Sequence, residues 1–219
     1  MRNFSGFLFG GTCFLCRGSA REALCDACQA DLPRLAPPRC PRCALASPRG
    51  EVCGRCLAQA PRYDATLAAL AYQFPADALV HALKFRGELA LAGFLGGILS
   101  KSIVQLEVDR VVPVPLSAAR LRERGYNHAA EIARRLLPAK LDLALCERSR
   151  DTPPQMELPF EARRRNVRGA FRCTSALAGE TVAVVDDVMT TGATLDEIAA
   201  VLKAAGAARV VNWVLARTL

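Results

Sequence analysis

The chain has 219 residues, a net charge of +8 at pH 7 and 52% hydrophobic residues. This length fits one ordinary domain with an appendage or two small domains, and it excludes a large multidomain enzyme. The apolar content allows a sizeable core and excludes wholesale disorder, while the positive charge favours anionic partners such as nucleic acids and phosphates.

No stretch of the sequence predicts a transmembrane helix. The longest uncharged stretches are residues 4–16 and 89–100, well below the roughly 18–20 residues that a spanning helix needs. Residues 1–16 imitate a signal peptide, but they lack a small-x-small cleavage site and run into a pair of cysteines. We therefore expect a cytoplasmic protein with reduced thiols, and any attachment to the inner face of the membrane would be peripheral.

The first predicted region, residues 1–60, is rich in cysteine, proline and arginine and shows little hydrophobic periodicity. Eight of the ten cysteines lie here as four CxxC pairs, namely Cys13/Cys16, Cys25/Cys28, Cys40/Cys43 and Cys53/Cys56. A CxxC turn aims two thiolates at one point, so two turns make the tetrahedral S₄ site that suits zinc. The sequence predicts a double zinc ribbon with two Zn²⁺ ions, which would lower the net charge from +8 to about +4.

The sequence does not decide which CxxC pairs share a metal ion or what role the metal sites have. Sequential grouping, Cys13/Cys16 with Cys25/Cys28, is the simplest, but the spacing also allows Cys13/Cys16 to share an ion with Cys40/Cys43. A disulfide framework and iron–sulfur ligation are the alternatives to zinc. Because all the ligands are cysteines, both sites would be closed and structural rather than catalytic. The arginines of the loops could grip nucleic-acid phosphates or form a solvated basic surface.

The second predicted region, residues 61–219, alternates between strand-like and helix-like patterns. A strand over 66–74 is followed by helices over 76–85 and 88–106. The next predicted elements are strand 109–116, helix 127–137 and strand 141–148, and a polar stretch over 149–169 has no pattern. The chain closes with strand 181–188, helix 193–206 and strand 208–218. This alternation predicts an α/β fold, a parallel sheet with helices on both faces.

An acidic pair and a threonine–glycine turn form the most informative motif of the sequence. Asp186 and Asp187 come at the end of a buried strand, and Thr190-Thr-Gly-Ala-Thr194 leads into a helix. Parallel sheets bind ligands at the carboxyl ends of their strands, and the N–H groups of a helix start suit a phosphate. Two carboxylates suit the hydroxyls of a ribose or a magnesium ion. The alternative is a helix cap, but a cap needs only one such residue.

Five further motifs follow this one in importance, and they lie at His81–Gly87, Val112–Ser117, Arg124–Asn127, Arg148–Gln155 and Arg163–Phe171. The acidic pair and the turn resemble the 5-phosphoribosyl-1-pyrophosphate (PRPP) motif of type I phosphoribosyltransferases. With the other motifs, residues 10–219 resemble the ComF family, phosphoribosyltransferase-like competence proteins that usually carry an N-terminal zinc ribbon. The resemblance implies a type I phosphoribosyltransferase-like sheet from about residue 61.

The resemblance also implies a set of ligand contacts. Asp186 and Asp187 would hold the ribose hydroxyls of PRPP, and the 5′-phosphate would lie against Thr190, Thr191, Gly192, Ala193 and Thr194. Mg²⁺ would bridge the hydroxyls and the pyrophosphate. The pyrophosphate would meet Ser117 and Arg120, with further positive charge from Lys84, Arg86 and Arg124. A hood over the acceptor would contribute Gln155 and Asn166.

Two departures from related patterns bear on the chemistry. Purine-salvage relatives place a proton-accepting aspartate where this chain has Thr190. The sequence therefore does not favour a purine-salvage activity. The ComF pattern usually has glutamine where His128 stands; this histidine could titrate near neutral pH and act as a base, or it is a surface residue at a helix start.

Two functions remain open in the sequence. One is phosphoribosyl transfer to an unknown acceptor, and the other is non-catalytic binding of a nucleotide and single-stranded DNA. The resemblance implies a role in DNA uptake during natural transformation, with proteins of the uptake machinery as partners.

Overall fold

The computed structural model describes residues 11–103, 107–150 and 165–219. Its strands are β1 Gly11–Thr12, β2 Ser19–Ala20, β3 Ala65–Ala71, β4 Arg110–Pro113, β5 Cys146–Arg148, β6 Phe171–Cys173, β7 Thr181–Met189 and β8 Arg209–Arg217. Its main helices are α1 Asp26–Ala30, α2 Gly54–Ala58, α3 Ala76–Phe85, α4 Ala90–Ser102, α5 Ala118–Arg124, α6 His128–Ala133 and α7 Ala193–Ala204.

The central sheet has four parallel strands in the order β3–β8–β7–β4. Strand β7 lies in its interior and is apolar from Val182 to Val185, as expected of a strand that is covered on both faces. Its last residue, Met189, pairs with Arg217 at the end of β8. The predicted α/β fold with a parallel sheet is confirmed.

Two apolar cores cover the two faces of this sheet. Side chains of β7 alternate between them, with Ala183 and Val185 in the core that includes α3, α4 and α6, and Val182 and Val184 in the core that includes α7. This period of two follows from the pleat of the strand. Both cores also contain residues of the cysteine-rich region.

Residues 33–41 of the cysteine-rich region run along β3, which is an edge strand of the sheet. The N–H of Ala71 donates to the carbonyl of Pro33 (2.7 Å), and the N–H of Thr66 donates to the carbonyl of Pro41 (2.9 Å). These bonds cover backbone groups that an edge strand would otherwise leave exposed. The cysteine-rich region is therefore packed against the sheet.

Two sequence predictions about local structure are wrong. Residues 141–148 do not form one strand, because the side chain of Asp142 accepts hydrogen bonds from the N–H groups of Ala144 and Leu145 and turns the chain. Leu141 forms a single parallel bridge with Val111 of β4, and the strand is confined to Cys146–Arg148, which pairs antiparallel with β6 outside the central sheet. Helix α5 was missed, although Ser117 and the left-handed Gly125 are typical cap residues.

Within the described ranges, no helix combines the length and the apolar character that crossing a bilayer requires.

Candidate functional site

The predicted phosphate loop lies between the end of β7 and the start of α7. Residues 190–192 connect the two elements, and Gly192 adopts a positive φ of 82° immediately before the helix. A side chain would not fit there, since a Cβ on Gly192 would lie 2.7 Å from Met189 Cε and 2.9 Å from Tyr63 Oη. Glycine is therefore required by both conformation and space.

The carbonyl groups of this loop are bound on one side by arginine. Arg217 Nη1 donates to the carbonyls of Met189 (2.9 Å) and Thr190 (2.5 Å), and Arg55 Nη2 donates to the carbonyl of Thr191 (2.9 Å). Among the described residues, none accepts a hydrogen bond from the N–H groups of Thr190, Thr191 or Gly192. Three consecutive amides at a helix N-terminus are a site for an anion.

The helix-cap alternative holds in part. Thr191 Oγ1 accepts from the N–H of Ala193, the first residue of α7 (3.1 Å), although the N-cap position itself is Gly192, which has no side chain. The two aspartates have another role, because Asp186 Oδ1 accepts from the N–H of Asp187 (2.9 Å) and Asp187 Oδ1 from that of Val188 (2.7 Å). Neither carboxylate therefore caps the start of α7.

Asp187 is the anchor of a buried cluster of charged groups. It is 3% exposed, and its Oδ2 lies 2.5 Å from Lys84 Nζ and 3.4 Å from His128 Nε2. Burial lowers the pKa of Lys84 to about 8, against the opposing effect of the Asp186 charge. The lysine that the resemblance assigns to the pyrophosphate is thus held in place by a carboxylate of the motif.

Asp186 differs from its neighbour because no cation pairs with it among the described contacts. Burial raises its pKa to about 7, and the nearby charge of Lys84 only partly offsets this. The ligand atoms of Asp186, Asp187 and His128 all lie within 4.8 Å of one another. Asp186 is therefore the carboxylate with capacity left for a hydroxyl or a cation.

His128 is not the surface residue that one interpretation of the sequence expected. It does begin α6, but it is 5% exposed and lies 3.4 Å from Arg124 Nη1 through its Nδ1 atom. Arginine only donates hydrogen bonds, so Nδ1 accepts and Nε2–H faces Asp187. Burial and then the charges of Lys84 and Arg124 hold the pKa of His128 well below its usual value. The histidine is neutral and orients Asp187.

The basic residues of the motif divide into two groups. Arg120 and Arg124 lie close enough to lower the pKa of Lys84, so these three cations lie together beside the carboxylates. Arg86 ends α3 and is exposed, and no contact among the described residues joins it to the carboxylates. The Ser117 hydroxyl is buried and accepts from the N–H of Arg120 (3.4 Å), which caps α5.

The hood residues are placed only in part. Asn166 is half-buried, and its carbonyl accepts from Arg150 Nη2 (3.5 Å). Gln155 lies outside the described residues.

The eight ribbon cysteines form two separate clusters. The sulfur atoms of Cys13, Cys16, Cys25 and Cys28 lie within 4.8 Å of one another, and so do those of Cys40, Cys43, Cys53 and Cys56. The sequential grouping is confirmed and the interleaved grouping is wrong. Each cluster supplies four thiolates and no open position, so both are zinc-binding sites of the structural kind. We call them the first and the second Cys₄ site.

Sequence reasoning missed the two arginines that hold the loop carbonyls. Arg217 is the last residue of β8, which is apolar between Arg209 and Arg217 except for Asn212, and it is 1% exposed. A charged residue within such a strand was the available signal, because a buried arginine needs specific acceptors. Arg55, between two cysteines of the second Cys₄ site, carried no signal that distinguished it from the other ribbon arginines.

Comparisons with known proteins agree with this arrangement. Residues 4–57 match a family described as double zinc ribbon domain, and residues 121–218 match the phosphoribosyl transferase domain. The DNA utilization protein YhgH of Escherichia coli (strain K12) is 33% identical over 95% of this chain and 98% of its own. Competence protein F of Haemophilus influenzae is 32% identical over 99% of this chain and 100% of its own. Competence protein ComFC of Streptococcus pneumoniae is 26% identical over 61% of this chain and 60% of its own.

Proposed function

The chain belongs to the ComF family, in which a double zinc ribbon precedes a phosphoribosyltransferase domain, and on that premise we propose that it binds magnesium PRPP or a related 5-phosphoribosyl ligand and serves the uptake or use of DNA. Full-length relatives that are named for competence and for DNA utilization support the cellular role. The thiol-rich ribbon favours a cytoplasmic location, where zinc ligands stay reduced.

The loop amides carry the proposal for the ligand. The N–H groups of Thr190, Thr191 and Gly192 have no partner among the described residues, and they lie at the positive end of the 12-residue helix α7. A phosphate would satisfy three donors at once. Because Asp186 and Asp187 precede these amides by a few residues, the same ligand would carry hydroxyls near its phosphate, as a 5-phosphoribosyl group does.

The carboxylates fit a magnesium ion through Asp186. Magnesium prefers carboxylate oxygens and keeps several of its waters, and Asp186 has no cation on it among the described contacts. Asp187 is engaged by Lys84 and His128. We therefore assign the ribose hydroxyls and the cation to Asp186, and the orientation of Lys84 to Asp187. Bound Mg²⁺ would neutralise pyrophosphate charge.

Lys84, Arg120 and Arg124 supply the positive side of the proposed site. The charges of Arg120 and Arg124 lower the pKa of Lys84, and the charge of Arg120 lowers that of Arg124, so the three cations repel one another. A pyrophosphate group between them would relieve that repulsion, since each unit of negative charge pairs with a nearby cation. The site therefore has positive groups at two places, the cations here and the donor amides at the loop, which fits a ligand with phosphates at both ends.

Calorimetric titration with PRPP, with and without Mg²⁺, tests this proposal. We expect saturable, magnesium-dependent binding to the zinc-loaded protein, and loss of at least about tenfold in affinity for Asp186→Asn, which removes one charge-assisted interaction. Asp142→Asn is the matched control, because Asp142 pairs with Arg110 away from the loop. Absence of binding to folded, zinc-loaded protein would reject the ligand.

A binding role without turnover is the second candidate, and the geometry near His128 favours it. Thr190 replaces the base of purine-salvage enzymes, and the Nδ1 atom of His128 already faces Arg124. Within the described residues, no other histidine reaches the carboxylates. Release of pyrophosphate from PRPP that requires an added acceptor would establish transfer. Binding of PRPP without release, together with salt-dependent binding of single-stranded DNA, would establish the module.

A further inference from the structure

The second Cys₄ site lies against the back of the phosphate loop. Cys40, Cys43 and Cys56 share an apolar core with Met189 and Ala193, the residues on either side of the loop. The carbonyl of Cys43, a zinc ligand, accepts from Arg217 Nε (2.9 Å). One guanidinium therefore binds both the zinc knuckle and the loop.

Arg217 is a buried cation with carbonyl acceptors in place of a carboxylate. Its guanidinium contacts the carbonyls of Cys43, Met189 and Thr190, and no carboxylate pairs with it among the described residues. Burial lowers its pKa, but arginine stays charged in proteins. A zinc ion with four thiolates carries a net charge of −2, so the loaded second site supplies compensating negative charge to Arg217, which binds the carbonyl of its ligand Cys43.

Arg55 and Tyr63 complete the contact between the ribbon and the loop. Arg55 comes from α2, between the ligands Cys53 and Cys56, and its Nη2 donates to the carbonyl of Thr191. Tyr63 is buried, and its hydroxyl lies where a side chain on residue 192 would be. Arg55 of the ribbon, together with Tyr63 and Arg217 of the second region, therefore contacts the turn.

The peptide geometry gives these contacts a consequence for ligand binding. In a trans peptide the C=O of one residue and the N–H of the next point in opposite directions. The guanidinium groups hold the carbonyls of Met189, Thr190 and Thr191. The N–H groups of Thr190, Thr191 and Gly192 are therefore turned away from these two guanidinium groups.

We infer that Arg217 and Arg55 are positioning residues that present the loop amides to an anion, and that the second Cys₄ site is thereby part of the ligand site. The inference rests on the proposed phosphoribosyl site for the identity of the anion, but not for the positioning itself. Zinc in the second site fixes Cys43 and Arg55, Arg217 and Arg55 fix the carbonyls, and the fixed carbonyls orient the amides.

The first test measures the loop without any ligand. In ¹⁵N-labelled zinc-loaded protein, we expect backbone order parameters of about 0.85 for Thr190, Thr191 and Gly192, the value of rigid backbone. Arg217→Met should lower them below about 0.6, the range of flexible backbone, and Arg217→Lys should restore part of the order. Arg209→Met is the matched control, since Arg209 is exposed at the other end of the same strand.

The second test uses PRPP with Mg²⁺ as the probe. Arg217→Met should weaken binding at least about 30-fold and Arg55→Met about 3- to 10-fold, as expected for the loss of charged hydrogen bonds. Arg209→Met should bind as the unchanged protein does. The zinc content of all variants, measured by elemental analysis, should stay at two ions per chain, which separates positioning from loss of metal.

The outcomes distinguish the two proposals. If the unchanged protein does not bind PRPP, the phosphoribosyl proposal fails, while the order parameters still judge the positioning. If Arg217→Met does not fold, Arg55→Met decides the matter by the same measurements. Unchanged loop order and unchanged PRPP affinity in a folded Arg217→Met or Arg55→Met variant would overturn the inference.

Discussion

Each Cys₄ site is built from two CxxC pairs, separated by eight residues in the first site and nine in the second, but the two sites join different parts of the molecule. Cys13 of the first site packs with Leu24 and Leu32 in the core of α3 and α4. The second site packs with Tyr63 and Met189 in the core of α7 and touches the phosphate loop through Arg55 and Arg217. No hydrogen bond among the described residues joins the first site to residues 190–192.

This difference teaches that the coordination sphere alone does not define the role of a structural metal. Both sites are closed and all-cysteine, and both hold a short segment together that has too few large apolar side chains to fold alone. What differs is the backbone that each site supports. The first site stabilises an apolar core, whereas the second stabilises a loop whose amides are available to a ligand.

Removing one ligand from each site should give the largest contrast. We expect Cys16→Ser and Cys43→Ser each to lower the zinc content from two ions to one. Cys43→Ser should weaken PRPP binding at least about 30-fold, because the loop loses its support, whereas Cys16→Ser should change it less than about threefold. Elemental analysis and calorimetric titration measure both effects. Equal losses of affinity in the two folded variants would break the comparison.

Asp186→Asn should separate the ligand side of the loop from its ribbon side. The affinity for PRPP should fall at least about tenfold, with two zinc ions retained. Because burial raises the pKa of Asp186 to about 7, its ionisation at neutral pH opposes folding, and the variant should melt at the same or a higher temperature. Asp142→Asn should show the reverse, lower stability with unchanged binding, since the pKa of Asp142 is lowered by its hydrogen bonds and by Arg110.

Gly192→Ala should damage the junction between the ribbon and the loop. The new Cβ would collide with Met189 and Tyr63 at a positive φ, so we expect a loss of about 1–3 kcal/mol in the free energy of unfolding, together with weaker PRPP binding. Gly179→Ala is the control, because Gly179 also has a positive φ, of 89°, but open space around it. If both variants lose the same free energy of unfolding, the collision with Met189 and Tyr63 contributes nothing to the loss.

The pH dependence should come from the carboxyl edge of the sheet and not from the ribbon. Burial raises the pKa of Asp186 to about 7 in the folded protein. The folded state therefore favours the protonated side chain, and the free energy of unfolding falls as the pH rises from about 4 to about 7. The Asp186 carboxylate is needed for the ligand, so PRPP affinity should rise through pH 7 and fall above pH 8 as Lys84 loses its proton. Asp186→Asn should abolish the rising limb, and its persistence would contradict the assignment.

The sequence predicted the fold well where the signal was local. The periodicity located α3 at its observed bounds and β7 to within one residue, because buried strands and amphipathic helices repeat at fixed intervals. It failed at residues 141–148, where a side chain that turns the backbone outweighed an apolar pattern. The boundary near residue 60 stays a prediction, and backbone hydrogen bonds such as Thr66 to Pro41 cross it.

The sequence predicted less of the site than of the fold. The acidic pair and the loop were visible as a motif, and the structure brings Lys84 and Arg124 to them from separate elements. The sequence did not show which groups Arg55 and Arg217 bind, because the acceptors are carbonyl groups, which every residue carries, and lie 136 and 27 residues away along the chain. Such contacts arise only from tertiary packing.

Amide chemical shifts during titration with PRPP and Mg²⁺ test the central claim most directly. In ¹⁵N-labelled, zinc-loaded protein, the largest saturable shifts should occur at the N–H groups of Thr190, Thr191 and Gly192, with little change at the first Cys₄ site. Shifts that avoid these three amides, or no shifts at all in folded protein, would contradict a phosphate loop whose amides are oriented through the second Cys₄ site.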